Sequence, residues 1–233
     1  MADAKAPDST ALIVGAGSGL SASLARKCAA AGMRVALAAR NVDKLKALEK
    51  EAGARSYACD ASDPSQVNAL FAALGTAPDL VVYNPSYRVR GPLLGLDAAE
   101  VKKTLLVTAY GGFLVAQAAL KGMVARGSGS LFFTGASASV KGYAESAPFA
   151  MGKFALRGLA QSLAREMGPK GIHVAHFVID GGILRAGDTR AAGREADGML
   201  SPDAIADTYL AVHRQHRSAW TFEVDLRPWM EKF

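Results

Sequence analysis

Short apolar runs alternate along this chain with longer stretches whose apolar residues recur at helical spacing. Thr10–Gly15 (TALIVG) reads as a buried strand, and Leu20–Ala31 as a helix. Gly32 ends that helix, because glycine takes the left-handed turn that closes a helix without a steric penalty. Arg34–Ala39 (RVALAA) predicts a second strand, and Asn41 can cap a helix whose stripe is Leu45 and Leu48 and which Gly53 stops. Arg55–Ala58 predicts a third strand, Asp63–Leu74 a helix with Pro64 in its first turn, and Asp79–Tyr83 a fourth strand. Leu96–Arg126 is one long helical stretch, with Gly111-Gly112 where a neighbour can pack closely. Ser130–Thr134, Ile172–Ile179 and Trp220–Val224 complete the strands; Pro148–Met167, stopped by Gly168-Pro169, and Pro202–His213 complete the helices. Ile172–Ile179 (IHVAHFVI) is almost wholly apolar, as a strand covered on both faces must be.

Strands separated by helices imply parallel pairing with right-handed crossovers, hence an α/β fold with a seven-stranded parallel sheet flanked by helices. The 233 residues suffice for one large domain and are short for two. The expectation is a loose tail over 1–9 and a single domain over 10–233, with the polar, irregular stretch 184–200 as a candidate substrate lid.

Composition narrows the function classes. The net charge of +6 could suit nucleic acid, but the basic residues (Arg26, Lys44, Lys102, Lys121, Arg157, Arg214) are scattered rather than clustered beside aromatics. A solvated surface is the reading, with no nucleic-acid partner. No apolar run approaches the ~20 residues of a membrane helix, and the N-terminus lacks an apolar signal core, so a cytoplasmic protein without membrane contact is expected. Cys28 and Cys59 read as small buried thiols. His173 and His176 lie three apart on a strand and face opposite ways. His213 and His216 share a helix face but have no acidic or thiol companion, so a solvated helix end is expected and no metal site.

The chemistry begins at Gly15-Ala16-Gly17-Ser18-Gly19, which joins the first strand to the first helix. Glycines let the main chain turn tightly and approach a pyrophosphate, while the free N–H groups and dipole of the helix start favour its charge. With this loop the architecture becomes a doubly wound Rossmann fold. The residue after strand two selects the cofactor. An acid there holds both ribose hydroxyls of NAD, whereas Ala39-Arg40 has no acid and offers a guanidinium to a 2′-phosphate. NADP(H) is therefore expected over NAD, unless Arg40 pairs instead with Asp60 or Glu49.

At this point the chain resembles the short-chain dehydrogenase/reductase family over roughly its whole length. Gly15-x-x-x-Gly19-x-Ser21 is similar to that family's glycine motif, with Ser for the last Gly. Cys59-Asp60-Ala61-Ser62-Asp63 resembles the segment that binds adenine, Tyr83-Asn84-Pro85-Ser86 the turn after strand four, and Asp180-Gly181 the Pro-Gly after strand six. The cofactor set so implied is Gly15, Gly17, Ser18, Gly19, Leu20, Arg40, Asn41, Asp60, Ala61, Asn84, Lys153 and Ile183. The resemblance also implies a homodimer or homotetramer.

The catalytic set departs from the family. Phe149-Ala-Met-Gly-Lys153 stands where the family has Tyr-x-x-x-Lys, Ala136 falls at the Ser position, and Thr108 falls at the Asn position. A phenyl ring can neither give nor take a proton. Tyr143, on the loop before the Phe149 helix, is the candidate proton donor, and Ser137 the candidate binder of the substrate oxygen. Two functions stay open. One is an NADP(H)-dependent oxidoreductase on a small carbonyl or alcohol, with Lys153, Tyr143 and Ser137 as catalytic residues. The other is a cofactor-binding pseudoenzyme.

Overall fold

The computed structural model describes residues 9–185 and 187–231. The tail expected at 1–9 thus lies almost wholly outside the described residues, as does Ala186 of the candidate lid. Strands β1 (Thr10–Val14), β2 (Arg34–Ala39), β3 (Arg55–Ala58), β4 (Leu80–Tyr83), β5 (Gly129–Thr134), β6 (Ile172–Ile179) and β7 (Glu223–Leu226) form one sheet. Its order is β3-β2-β1-β4-β5-β6-β7, and the pairs are parallel. The direction of winding reverses between β1 and β4. In such sheets the carboxyl ends of the strands open a crevice at that reversal.

Helices α1 (Leu20–Ala30), α2 (Lys46–Ala52), α3 (Pro64–Leu74), α4 (Ala98–Leu105), α5 (Gly111–Arg126), α6 (Ala147–Met167) and α7 (Pro202–His213) cover the two faces. One core packs Leu12, Val81, Leu131 and Val174 of the sheet with Val115, Met123 and Leu156 of α5 and α6. The other packs Ile13, Leu37, Phe132 and Phe177 with Leu24 of α1 and Tyr209 of α7. Alternate residues of one strand feed opposite cores, which is the period of two that a doubly covered sheet requires.

Two elements differ from expectation. The stretch Leu96–Arg126 is not one α-helix. A π-helical turn, Leu106–Tyr110, separates α4 from α5. The Tyr83 hydroxyl donates to the Val107 carbonyl at 2.5 Å, and a Cβ on Gly111 would lie 2.4 Å from the Tyr83 hydroxyl oxygen. A side chain intruding on the ladder is a recognised cause of such a bulge. Residues 98–126 are also long and apolar enough to cross a membrane by length and composition, contrary to the sequence reading. Here they flank the sheet, with Leu114, Val115, Ala119 and Met123 buried. The last strand begins at Glu223 rather than Trp220, because Trp220 stacks on His173 at 4.8 Å and the Thr221 carbonyl bonds the same imidazole at 2.9 Å.

The histidines distribute as follows. His173 and His176 go to separate partners, Thr221 and Glu223. His213 is half-buried rather than solvated. Its Nδ1 lies 2.8 Å from the Ser130 hydroxyl, and its ring meets Phe132 edge-on. Both cysteines are buried, which pushes the Cys28 thiol up to about 12 and that of Cys59 to about 11.

Candidate active site

The carboxyl end of the sheet holds two cavities, of about 730 and 350 Å³. Both are lined by Gly15, Asn84 and Ser86, so they meet over the β1–α1 turn. Gly15 has φ +79°, and a Cβ there would lie 2.7 Å from the Pro85 nitrogen. By contrast, Cβ atoms on Gly17 and Gly19 would meet nothing within 4 Å, because they would project into open space. The loop is braced from behind. Ser21 donates its hydroxyl to the Gly15 carbonyl at 3.1 Å, and the Asn84 amide donates to Ser21 Oγ at 2.7 Å. This explains how Ser can replace the last glycine: the hydroxyl ties the loop to the turn after β4.

The smaller cavity is lined by Arg40, Asn41, Asp60 and Ala61, all expected, and by Lys44, which was not. Arg40 forms no ion pair with Asp60 or Glu49 among the described residues; Glu49 instead accepts from the Ser56 N–H. Asn41 accepts from the Asp43 N–H at 3.0 Å, a local turn rather than a helix cap. The Asp60 Oδ1 atom is occupied by the Ser62 N–H and hydroxyl at 2.9 and 2.6 Å.

The larger cavity is lined by Gly15, Gly17, Ser18, Gly19, Leu20, Asn84, Ser137, Tyr143, Lys153 and Ile183. Every residue singled out for cofactor or catalysis thus lines one cavity or the other. Lys153 is only 2% exposed, and its Nζ donates to the Thr134 carbonyl at 2.6 Å. Phe149 lines the same cavity, with the Lys153 Nζ 5.8 Å from its ring centroid. Ser137 begins a 3₁₀ turn, Ser137–Ser139. Ser139 is fully buried and accepts from the Ala136 N–H. Tyr143 is half-exposed, beneath the Lys141 ammonium at 5.7 Å. Thr108 sits on the π turn, buried, and accepts from the Tyr87 N–H at 3.3 Å. Behind Thr134, Gly135 is obligatory, since a Cβ there would lie 2.3 Å from the His176 Nε2. His176 is fully buried and bonds Glu223 at 2.9 Å, and Glu223 is paired with Arg157 at 2.7 Å.

Burial lowers the Lys153 ammonium from its usual 10.5 to about 7. The unfolded chain therefore holds this proton over a pH range in which the native state has lost it. Stability from this residue rises as pH climbs from about 7 toward about 10.5. Lys153→Met removes that dependence. Between about pH 6.5 and about pH 9 the melting temperature of the wild type is expected to gain a few degrees on the variant. Parallel profiles in a thermal-shift series would show that Lys153 is not buried in solution.

The chain matches the short chain dehydrogenase family over residues 9–192. It belongs to that family. A short-chain dehydrogenase from Rhodopseudomonas palustris is 33% identical, with a TM-score of 0.81 over 96% of this chain and 100% of that one. A metagenomic short-chain oxidoreductase solved in complex with NADP is 28% identical, with a TM-score of 0.84 over 97% and 99%. The D-threitol dehydrogenase of Mycolicibacterium smegmatis is 28% identical over 172 residues, which are 70% of this chain and 66% of that enzyme.

Lys153, the glycine loop, Phe149 and Ala136 all line the larger cavity. Sequence reasoning missed Ser21 as a brace, Lys44 beside Arg40, and the arginines Arg88, Arg90, Arg185 and Arg190 that line the larger cavity. Lys44 was legible in principle, four residues past Arg40 in the next helical turn. The other arginines were not, because they lie on loops after β4 and β6 with no periodic signal.

Proposed function

We propose that the protein is an NADP(H)-dependent oxidoreductase that moves a hydride between the cofactor and a small carbonyl or alcohol substrate. One observation carries the reading: a glycine-lined cavity joins a second cavity lined by Lys44 and by an Arg40 that has no carboxylate partner among the described residues. A dinucleotide laid across both would set its pyrophosphate on the start of α1 and its adenosine 2′-phosphate at the two cations. Lys153 is the proposed ligand of the nicotinamide ribose. A relative 28% identical is solved in complex with NADP, which supports the choice of cofactor. The hydride chemistry is the cofactor's; the chain binds, orients and supplies the proton. Tyr143 is the proposed donor of that proton and Ser137 the proposed ligand of the substrate oxygen. Stacked Tyr110 and Phe113, with Met151 and Phe154, are exposed on the outer helices and fit a homodimer or homotetramer.

The test is cofactor selectivity. Arg40→Ala is expected to weaken NADPH by roughly 10- to 100-fold, the worth of a charge-assisted hydrogen bond, and to leave NADH nearly unchanged. Equal losses for both, measured calorimetrically, would remove the phosphate role.

A second reading, cofactor binding without turnover, has one specific observation behind it. The position of the family's phenol is a ring already covered by the Arg88 guanidinium at 4.8 Å. Oxidation of NADPH by a panel of carbonyls in single-turnover format separates the two.

A further inference from the structure

The larger cavity is strongly cationic in a way that the cofactor does not account for. Besides the glycine loop and Lys153, it is lined by Arg88, Arg90, Arg185 and Arg190. Its acidic lining residues are Asp180 and Glu231. Asp180 already lies 3.7 Å from the Lys141 Nζ and 3.8 Å from the Arg227 Nε. Arg190 is taken up by Asp188 at 2.5 Å and by the Ile183 carbonyl at 3.2 Å. Arg88 and Arg90 have no carboxylate partner among the described residues. Burial, and then the charge of Arg90, hold the Arg88 guanidinium below its usual range. Both arginines are exposed, so water moderates their repulsion, and an anion entering the cavity meets guanidinium groups that no carboxylate has already engaged.

Their position singles out the substrate end. The Arg88 guanidinium lies over the Phe149 ring, 4.8 Å from its centroid. The segment carrying both arginines is clasped to the Tyr143 loop, where the Gly91 N–H donates to the Glu145 carbonyl at 3.0 Å. The pyrophosphate and 2′-phosphate of a dinucleotide would sit at the glycine loop and at Arg40, not at Phe149. We propose that the reacting molecule, or a ligand in its place, is an oxyanion whose carboxylate or phosphate is gripped by Arg88, seated on Phe149, together with Arg90. This rests on reading the cavity as the nicotinamide and substrate site. A guanidinium keeps its protons at neutral pH, so its part is to hold and neutralise, with a planar fork matched to two oxygens. Phe149 then has a role of its own as the aromatic face on which that fork is stacked.

The experiment is calorimetric titration at constant ionic strength of the protein saturated with NADP⁺. The probes are malonate, inorganic phosphate, and dimethyl malonate as the neutral control. Malonate, phosphate or both are expected to bind, and the diester is not. Arg88→Gln with Arg90→Gln is expected to weaken the anion at least ~10-fold while NADP⁺ affinity stays within about threefold. Arg88→Lys, which keeps charge but loses the fork, is expected to fall between. Tighter malonate assigns a carboxylate, and tighter phosphate a phosphoryl group. Failure of both anions to bind, or binding unchanged in the double variant, overturns the proposal. If the protein takes up no nicotinamide dinucleotide, the proposed function falls on that result alone. Malonate binding to the cofactor-free protein, compared between wild type and double variant, then still decides the anion site.

Discussion

Phe149→Tyr is expected to raise carbonyl reduction with NADPH, because it sets a phenol inside the cavity where Tyr143 is half-exposed; the ceiling is about 10²- to 10⁴-fold, the usual worth of a positioned proton donor. Phe149 lies in the wall of the larger cavity and is only 8% exposed. The Arg88 guanidinium is 4.8 Å from its ring centroid and the Lys153 Nζ 5.8 Å. A hydroxyl added to that ring enters a site with the Arg88 guanidinium and the partly protonated Lys153 nearby. Such neighbours favour the phenolate and so bring a phenol's pKa toward the working range. Hydride delivery needs no change, because the lysine and the glycine loop stay as they are. The measurement is kcat/KM over a panel of carbonyls, with NADPH affinity recorded for both proteins. An unchanged rate at unchanged affinity would show that the phenol is not the main deficit and would direct attention to Ala136, where the family has its hydroxyl.

Gly15→Ala is expected to abolish useful cofactor binding and to lower stability as well. The residue stands at φ +79°, where a Cβ is strained by about 1–3 kcal/mol. Its new methyl would meet the Pro85 nitrogen at 2.7 Å and the Pro85 Cδ at 2.9 Å. Proline and main chain cannot swing aside, so the β1–α1 turn must move and carry its phosphate-facing N–H groups with it. A displacement near 1 Å typically costs on the order of 100-fold in function. Melting temperature is expected to fall by several degrees. Gly17→Ala supplies the contrast. Its Cβ meets nothing within 4 Å, so the fold is expected to melt as the wild type does while NADP(H) binding weakens. Normal dinucleotide affinity in the Gly15 variant would show that the turn is not the cradle.

Much of the architecture was written locally. The apolar runs of β1, β2, β4 and β6 and the glycines closing α1 and α2 set the alternation of strand and helix. Chirality and twist then leave few ways to wind it. Gly53 closes α2 at φ +57°, as its residue type foretold, whereas Asp63 caps α3 through the Ser65 and Gln66 N–H groups rather than opening the helix itself. The boundaries that failed were those set by distant partners. Tyr83, from β4, opens the π turn at Val107, and His173, from β6, holds Trp220 and Thr221 out of β7.

The candidate site divides along the same line. That the glycine loop, Arg40 and Lys153 line the two cavities was legible because each is tied to a strand end or a helix position by short-range spacing, and geometry follows from spacing there. That Phe149 lines the same cavity as Lys153 was legible for the same reason. That Arg88 would cover that ring, that Arg88 and Arg90 would face a shared cavity without a carboxylate, and that Lys153 would be buried against the Thr134 carbonyl depended on tertiary structure. Loops after β4, β5 and β6 converge there from positions up to ~100 residues apart, and no local pattern encodes convergence. The chain's own order of residues thus determined a doubly wound fold with a glycine turn at the carboxyl end of β1. Only packing of the loops decided which charges line the cavity beside Phe149.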